Sequence, residues 1–309
     1  MKYREWLSDW FENYVCPSSK NKTIQCYKSL IQNHIIPLLG DYDIDELNPL
    51  TLQKSITSLS SAGNARRNGG LSSSSINLII TILQSSLRTA FSLGYSNKYQ
   101  GDKIKRPKIK EKLVDSFTLS EQKKIEKAVI NHKNPKMIGI LLCLYTGLRI
   151  GELLALEWSD INFKIQEISV TKSCFDSIDV QRGLVRITET PKTESSVRTI
   201  PFPKQLIPIL REAKAKNKSV YVVGNGDNTI SVRSYQRSFD LLLKKLNIPH
   251  KGFHALRHTF ATRASENGMD AKALSEILGH KNPTITLKRY THSFMSHKKQ
   301  MINKLGKLL

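Results

Sequence analysis

A chain of 309 residues is longer than one compact core normally serves, so two domains are expected. Its 48 Lys and Arg against 26 Asp and Glu leave a formal net charge of +22, which points to a polyanionic partner, nucleic acid ahead of a membrane surface. No apolar run approaches the roughly 20 residues of a spanning helix, and MKYREWLSDWFENY at the N-terminus lacks the apolar centre of a signal peptide, so neither membrane insertion nor export is expected.

Residues 1–100 read as helical throughout. Trp6, Trp10, Phe11 and Tyr14 recur at helical spacing and make an aromatic face suited to a core. A second helix is predicted from about Thr23 through Tyr27, Leu30 and Ile31, stopping before Pro37 and Gly40, and a third from Pro49 to Leu59. SAGNARRNGG reads as a flexible basic loop carrying Arg66 and Arg67. Ser72–Ser75 then supply N-cap oxygens for a long helix through Ile79, Ile82, Leu83, Leu87 and Phe91. Arg66, Arg67 and Arg88 are candidates to touch phosphates, and each also reads as an ordinary solvated arginine.

The stretch 101–116 is predicted as a basic linker. Its Lys103, Lys105 and Arg106 suit a segment lying along a phosphate backbone, or equally a solvated tether. A second domain is predicted over 117–309. Thr118-Leu-Ser-Glu121 is a capping box opening a helix over 119–132, and another helix is expected over 136–146. Strand-like segments follow at 167–171, 184–189 and 197–202, the last two joined by a polar turn that places Lys192 near a hairpin tip. Further helices are predicted near 203–216, 231–246, 254–263 and 270–278, then a short one holding Tyr290 and a tail helix over about 297–309. The four cysteines, Cys16, Cys26, Cys143 and Cys174, form no CxxC pair and no Cys/His ligand cluster, so they read as reduced thiols of a cytoplasmic protein with no structural metal.

Chemistry concentrates in HALRHTFATR, residues 254–263. Leu256 and Phe260 share a face able to dock on a core, while His254 and Arg257 present an imidazole and a guanidinium together, a pair suited to an oxyanion. Alone, the stretch also reads as a basic amphipathic helix with solvated charges. Arg149 in TGLRIGE stands where one helix ends at Gly147 and the next begins, a good place to hold an anion. Glu152 is close enough to orient it. His280 in LGHKN follows a helix C-cap glycine.

Taken in order, TGLRIGE, PKTESSVR, HALRH, LGHKN and KRYTH resemble the tyrosine recombinase (phage integrase) family, with Tyr290 ten residues after His280. The resemblance covers nearly the whole chain and is strongest to integrases of phages and conjugative transposons. It implies a mainly α fold with a small antiparallel sheet in the catalytic domain, arranged as a two-domain C-shaped clamp on duplex DNA. Tyr290 is implied as the nucleophile that forms a 3′-phosphotyrosyl bond, Arg149 and Arg257 as clamps on the scissile phosphate, and Lys192 as the acid for the leaving 5′-oxygen. His254 and His280 are implied to hydrogen-bond the phosphate and assist proton movement. A homotetramer on two specific core sites is implied, passing through a four-way junction, with an excisionase or a host DNA-bending protein as accessory partners. No cofactor or metal is expected, since one phosphodiester is exchanged for another and the sequence shows no two-metal carboxylate cluster. The alternatives are a recombinase that resolves chromosome or plasmid dimers and a type IB topoisomerase. Met1 leads almost directly into the core-binding helices, so an arm-type DNA-binding domain is expected to be absent, or the chain to be part of a longer protein.

Overall fold

Trp6 and Trp10 lie four residues apart, and with Tyr3 and Leu7 they give α1 (Tyr3–Trp10) one continuous buried face. In the computed structural model, which describes residues 1–63, 69–108, 115–179, 183–189, 197–226, 228–280, 284 and 302–303, the helix runs on through a π-helical turn at Phe11–Val15. Phe11 is half-buried, but Tyr14 is 45% exposed because the wider turn rotates it off the apolar face.

α2 (Asn21–Leu30) does the same, passing through a π turn at Ile31–Ile35 into the short α3 (Ile36–Leu39). The helix predicted to stop before Pro37 therefore passes through it. Pro37 falls in the first turn of α3, where its preset φ fits and its missing N–H costs little. α4 (Pro49–Ala62) starts on a proline, with Asn48 Oδ1 accepting from the Thr51 N–H at 2.9 Å. α5 (Ser73–Ser92) is capped as predicted, Ser72 Oγ accepting from the Ser75 N–H at 3.2 Å. Ile76, Ile79, Ile80, Leu83 and Leu87 of α5 share one core with the α1 face. Phe91 does not join them: it is 48% exposed. Tyr3 Oη and Ser86 Oγ lie 2.7 Å apart, and Trp6 Nε1 donates to Ser86 O at 3.0 Å, so the buried polar tips of α1 find partners on α5.

The chain divides into two compact units between Glu111 and Lys112. Residues 101–108, expected within the linker, are packed on the first unit. Ile104 is buried in its core, Gln84 Nε2 donates to Gly101 O at 3.1 Å, and the Lys105 N–H donates to Gln53 Oε1 at 2.9 Å. Phe117 belongs to the core of the second unit.

In the second unit the predicted capping box is present. Thr118 Oγ1 accepts from the Glu121 N–H at 3.2 Å and Glu121 Oε2 from the Thr118 N–H at 2.7 Å, opening α6 (Leu119–Ile130). α7 (Ile138–Thr146) is strongly apolar, and all of it but the half-buried Tyr145 is buried, which makes it the central element of this core. It ends at Gly147, whose φ of +66° closes the helix. α8 (Ile150–Ala155) follows at once, then β1 (Ile161–Asn162), β2 (Glu167–Val170), β3 (Ser173–Asp179), β4 (Gly183–Glu189) and β5 (Arg198–Pro201).

Strand pairing differs from the sequence expectation. The segment at 184–189 does not pair with that at 197–202. β4 pairs antiparallel with β3, and β5 pairs with β2 in a sheet ordered β1-β2-β5. SCFDSID has no apolar alternation to announce a strand. It is held by Phe175 opposite Ile187 and by Asp176, which accepts from Arg186 Nη2 at 2.9 Å. β5 is held by Ile200 opposite Ile168, both fully buried. Four helices close the described part of the unit: α9 (Leu206–Lys216), α10 (Val232–Lys245), α11 (His254–Glu266) and α12 (Ala271–Leu278). Among the described residues, no helix is long and apolar enough to cross a membrane. All four cysteines are free, and burial pushes the Cys143 thiol up and the Cys174 thiol up to about 11, so both are poor nucleophiles.

Candidate active site

Three of the predicted site residues meet where α12 ends. Arg257, on α11, is 2% exposed, and its cost of burial is met by backbone carbonyls. Nη1 donates to Gly147 O at 2.8 Å and Nη2 to Leu278 O at 2.6 Å. These oxygens belong to the C-terminal ends of α7 and α12, where unpaired carbonyls carry the negative end of each helix dipole. Arg257 thus ties two helix ends together. Gly147 makes the approach possible, since a Cβ there would lie 2.6 Å from Phe260 Cδ1 and 2.8 Å from Leu278 Cδ2.

Arg257 Nη2 also lies 3.0 Å from His280 Nε2. A guanidinium only donates, so in this contact Nε2 is the acceptor. Gly279, with φ +61°, ends α12 and turns His280 out of the helix, as the Leu-Gly-His sequence predicts.

Arg149 is the N-cap of α8. Its N–H donates to Glu152 Oε2 at 2.9 Å, its Nη1 to Glu152 Oε1 at 2.7 Å, and its Nη2 to Gly279 O at 3.1 Å. The carbonyl of Gly279 therefore joins Arg149 to the turn that carries His280. With 36% of its side chain exposed, Arg149 is the solvent-facing guanidinium of the cluster, whereas Arg257 lies behind it.

Glu152 is 4% exposed and is shared by two arginines, Arg149 and Arg198. Burial alone would raise its carboxyl, but the hydrogen bonds and charges of Arg198 and Arg149 outweigh that and bring it down to about 2. It stays ionised at any working pH and orients Arg149, the role expected of it. Sequence reasoning missed Arg198. It appears only inside PKTESSVR, in a strand whose pairing was misassigned, and its one available signal was a lone cation two residues before the buried Ile200.

His254 opens α11 on its exposed side, with its ring edge-on to His258 at 4.6 Å between centroids. Its neighbour Arg257 faces inward instead, so the two groups share a helix turn without presenting side by side. Arg263 is structural: it donates to Phe117 O at 3.0 Å and to Glu266 Oε2 at 2.5 Å. Lys192, Tyr290, Arg66, Arg67 and nearly all of the tail predicted at 297–309 lie outside the described residues.

The described candidate DNA-contacting residues of the first unit, Arg88, Lys103, Lys105 and Arg106, are exposed. Arg106 donates to Asn77 O at 3.0 Å, Thr81 Oγ1 at 3.2 Å and Gln84 Oε1 at 2.6 Å. Arg88, four residues beyond Gln84 on the same face of α5, donates to Asp102 Oδ1 at 3.0 Å and packs over Tyr99. Lys103 Nζ donates to Gln100 Oε1 at 3.3 Å, and Lys105 is exposed.

A buried arginine and a solvent-facing one converging with a histidine have the chemistry to hold an anion, as phosphoryl transfer requires. Residues 115–297 match the phage integrase family, and residues 2–60 match the phage integrase N-terminal SAM-like domain. The chain belongs to the phage integrase family and is a tyrosine recombinase, a site-specific recombinase enzyme. Within that class it stands close to the integrases of conjugative transposons. It is 35% identical over 265 residues to a XerC-like tyrosine recombinase of Caldanaerobacter subterraneus subsp. tengcongensis, covering 77% of this chain and 67% of that protein. It is 27% identical over 252 residues to the ICEBs1 integrase of Bacillus subtilis, covering 78% of this chain and 67% of that protein. Its fold matches the Tn1549 transposon integrase solved with circular-intermediate DNA, with a TM-score of 0.82 at 22% identity over 99% of each chain.

Proposed function

We propose that Arg149, Arg257, His254 and His280 hold the scissile phosphate of duplex DNA for attack by Tyr290, with Lys192 protonating the leaving group. The observation that carries this reading is the convergence of Arg149, Arg257 and His280 on the capped end of α12. A phenol of pKa near 10 is a weak nucleophile at neutral pH and needs a strong positive field. Two guanidiniums supply it, aimed at charge that grows on the phosphorus centre, and their positions are set before substrate arrives. The phenolic oxygen bonds to phosphorus as the bond from phosphorus to the 5′-oxygen breaks. The phenol proton passes to a histidine of the site, and the 5′-oxygen takes a proton from the Lys192 ammonium, which becomes neutral. One phosphodiester is exchanged for another, so the step balances without nucleotide or redox cofactor, and reversal rejoins the strand.

The biological reaction is integration and excision of a mobile element, in the cytoplasm where its DNA lies. Each of four strands at two core sites is cut once by one tyrosine, which calls for a homotetramer and a four-way junction between the two exchanges. The first unit acts as the core-site-binding domain, with Arg88 and Arg106 along one face of α5, and Arg66, Arg67, Lys103 and Lys105 nearby in sequence, supplying phosphate contacts. Met301, Leu305 and Leu308 recur at helical spacing, which suits the tail for docking on a neighbouring protomer. An excisionase or a host DNA-bending protein completes the assembly.

The test uses a pool of duplexes with randomised core sequence, nicked so that cleavage releases a short fragment and rejoining is lost. An SDS-resistant adduct is expected, with DNA linked to Tyr290 by peptide mass, and none with Tyr290→Phe. A pool that yields no adduct, or a Tyr290→Phe variant that still forms one, rejects the reading.

A further inference from the structure

Arg198 is the first residue of β5, with 7% of its side chain exposed, and its guanidinium bridges the two sides of the candidate site. Nε donates to Ile277 O at 2.6 Å, in the last turn of α12. Nη1 donates to Glu152 Oε1 at 3.1 Å and Nη2 to Glu152 Oε2 at 2.9 Å, a two-pronged grip on the carboxylate that orients Arg149. Gly279 lies against the same guanidinium: a Cβ there would sit 3.2 Å from Arg198 Cδ and 3.2 Å from Nη1. One planar group therefore fixes the start of α8, through Glu152, and the end of α12, through Ile277 and Gly279.

We propose that Arg198 is a positioning residue for strand cleavage: gripping Glu152 and the end of α12 in one fork, it sets where Arg149 and His280 meet the scissile phosphate. This rests on the reading of Arg149 as a phosphate clamp. The charge balance gives the mechanism. Arg149, Glu152 and Arg198 together carry one net positive charge, which faces the phosphate through Arg149. With Arg198 removed, the buried Glu152 carboxylate is left with Arg149 as its remaining arginine partner, draws that guanidinium inward and cancels its charge. Lysine at 198 restores the charge but not the planar fork that reaches Glu152 and Ile277 together.

The experiment compares two forms of the nicked duplex selected from the randomised pool: one with an ordinary scissile phosphate, the other with a methylphosphonate there. The second lacks the negative charge that the arginines hold. Arg198→Ala is expected to bind the duplex within a few-fold of the parent and to cleave the phosphate about 10²-fold more slowly, the scale of a misplaced catalytic group. It is expected to recover most of the parental rate on the methylphosphonate, as is expected of Arg149→Ala. Parental cleavage of the phosphate by Arg198→Ala overturns the proposal. So does an equal loss on both substrates, since that is the mark of general packing damage. Where Arg198→Ala fails to fold, Arg198→Gln, which removes the charge but keeps a hydrogen-bonding side chain, carries the same contrast and the same two overturning outcomes. Adding Glu152→Gln, which removes the stranded charge, is expected to restore part of the phosphate cleavage, and no restoration overturns the proposal. If Arg149→Ala itself shows no difference between the substrates, the clamp reading falls and takes this proposal with it.

Discussion

Arg257 and Arg88 are the same side chain in opposite circumstances. Arg257 is 2% exposed and held by the carbonyl ends of two helices, while the Arg88 side chain is 64% exposed and paired with Asp102 at the surface. The first is locked in a low-dielectric setting where its charge is strong, directional and costly to disturb. The second keeps its rotamer freedom, is screened by salt, and gains little from its ion pair. The difference marks two tasks. A cleavage site needs charge fixed in advance of the reaction, because reorganisation at the moment of reaction adds to the barrier. A grip on a long polyanion needs many charges that adapt to a backbone whose sequence varies.

The largest effect that can break this comparison is at Arg257. Arg257→Ala is expected to slow single-turnover cleavage by about 10³-fold, at the upper end for loss of a preorganised donor, while DNA binding stays within a few-fold. Arg257→Lys is expected to rescue little, since an ammonium cannot reach Gly147 O and Leu278 O in the same fork. Near-parental cleavage by either variant would mean that the buried guanidinium only supports the fold.

Next in size is Glu152. Its folded carboxyl is held near 2, below its ordinary value of 4.5, so it contributes stability that is fully present above about 4.5 and lost as pH falls toward 2. Replacing it by alanine strands Arg198 in a buried site, and breaking such a pair costs about 3–5 kcal/mol. Glu152→Gln, which keeps two hydrogen-bonding atoms, is expected to cost less and to flatten the acid limb of the stability curve. Urea melts at pH 7, 4 and 3 measure this. An unchanged acid limb in Glu152→Gln would show that other carboxylates govern acid unfolding.

How much of this was written in the sequence follows from how local each signal is. Helix caps need only neighbours, and so Ser72, Thr118 with Glu121, Gly147 and Gly279 announced the ends they make. The aromatic spacing of Trp6 and Trp10 announced a buried face, and the motif order announced the family. Strand pairing is not local. β3 carries Ser and Asp where alternation would carry apolar residues, and its partner was legible only once Asp176 met Arg186. The direction of Arg257 was hidden for a similar reason: a guanidinium three residues from His254 reads as surface charge until two carbonyls from distant helix ends close over it. Arg198 combined both difficulties, a strand whose pairing was misassigned and a partner 46 residues away.

The smallest expected effects lie on α5 and its attached strip, and they sharpen the comparison from the other side. Arg106→Ala removes a cation whose contacts to Asn77, Thr81 and Gln84 are neutral, so little else in the first unit depends on it. If it faces phosphate, the slope of log binding constant against log salt should fall by about 1, and binding at low salt should weaken a few-fold. Arg88→Ala should give a smaller loss of the same kind, because Asp102 already neutralises part of its charge. Cleavage at saturating protein should not change for either variant, since neither touches the α12 turn. Titrations by fluorescence anisotropy at several salt concentrations, with single-turnover rates beside them, separate the two quantities. An unchanged slope would move the DNA-facing surface of the first unit away from this face of α5, and a lost rate at saturation would mean that grip and chemistry are coupled through the two units.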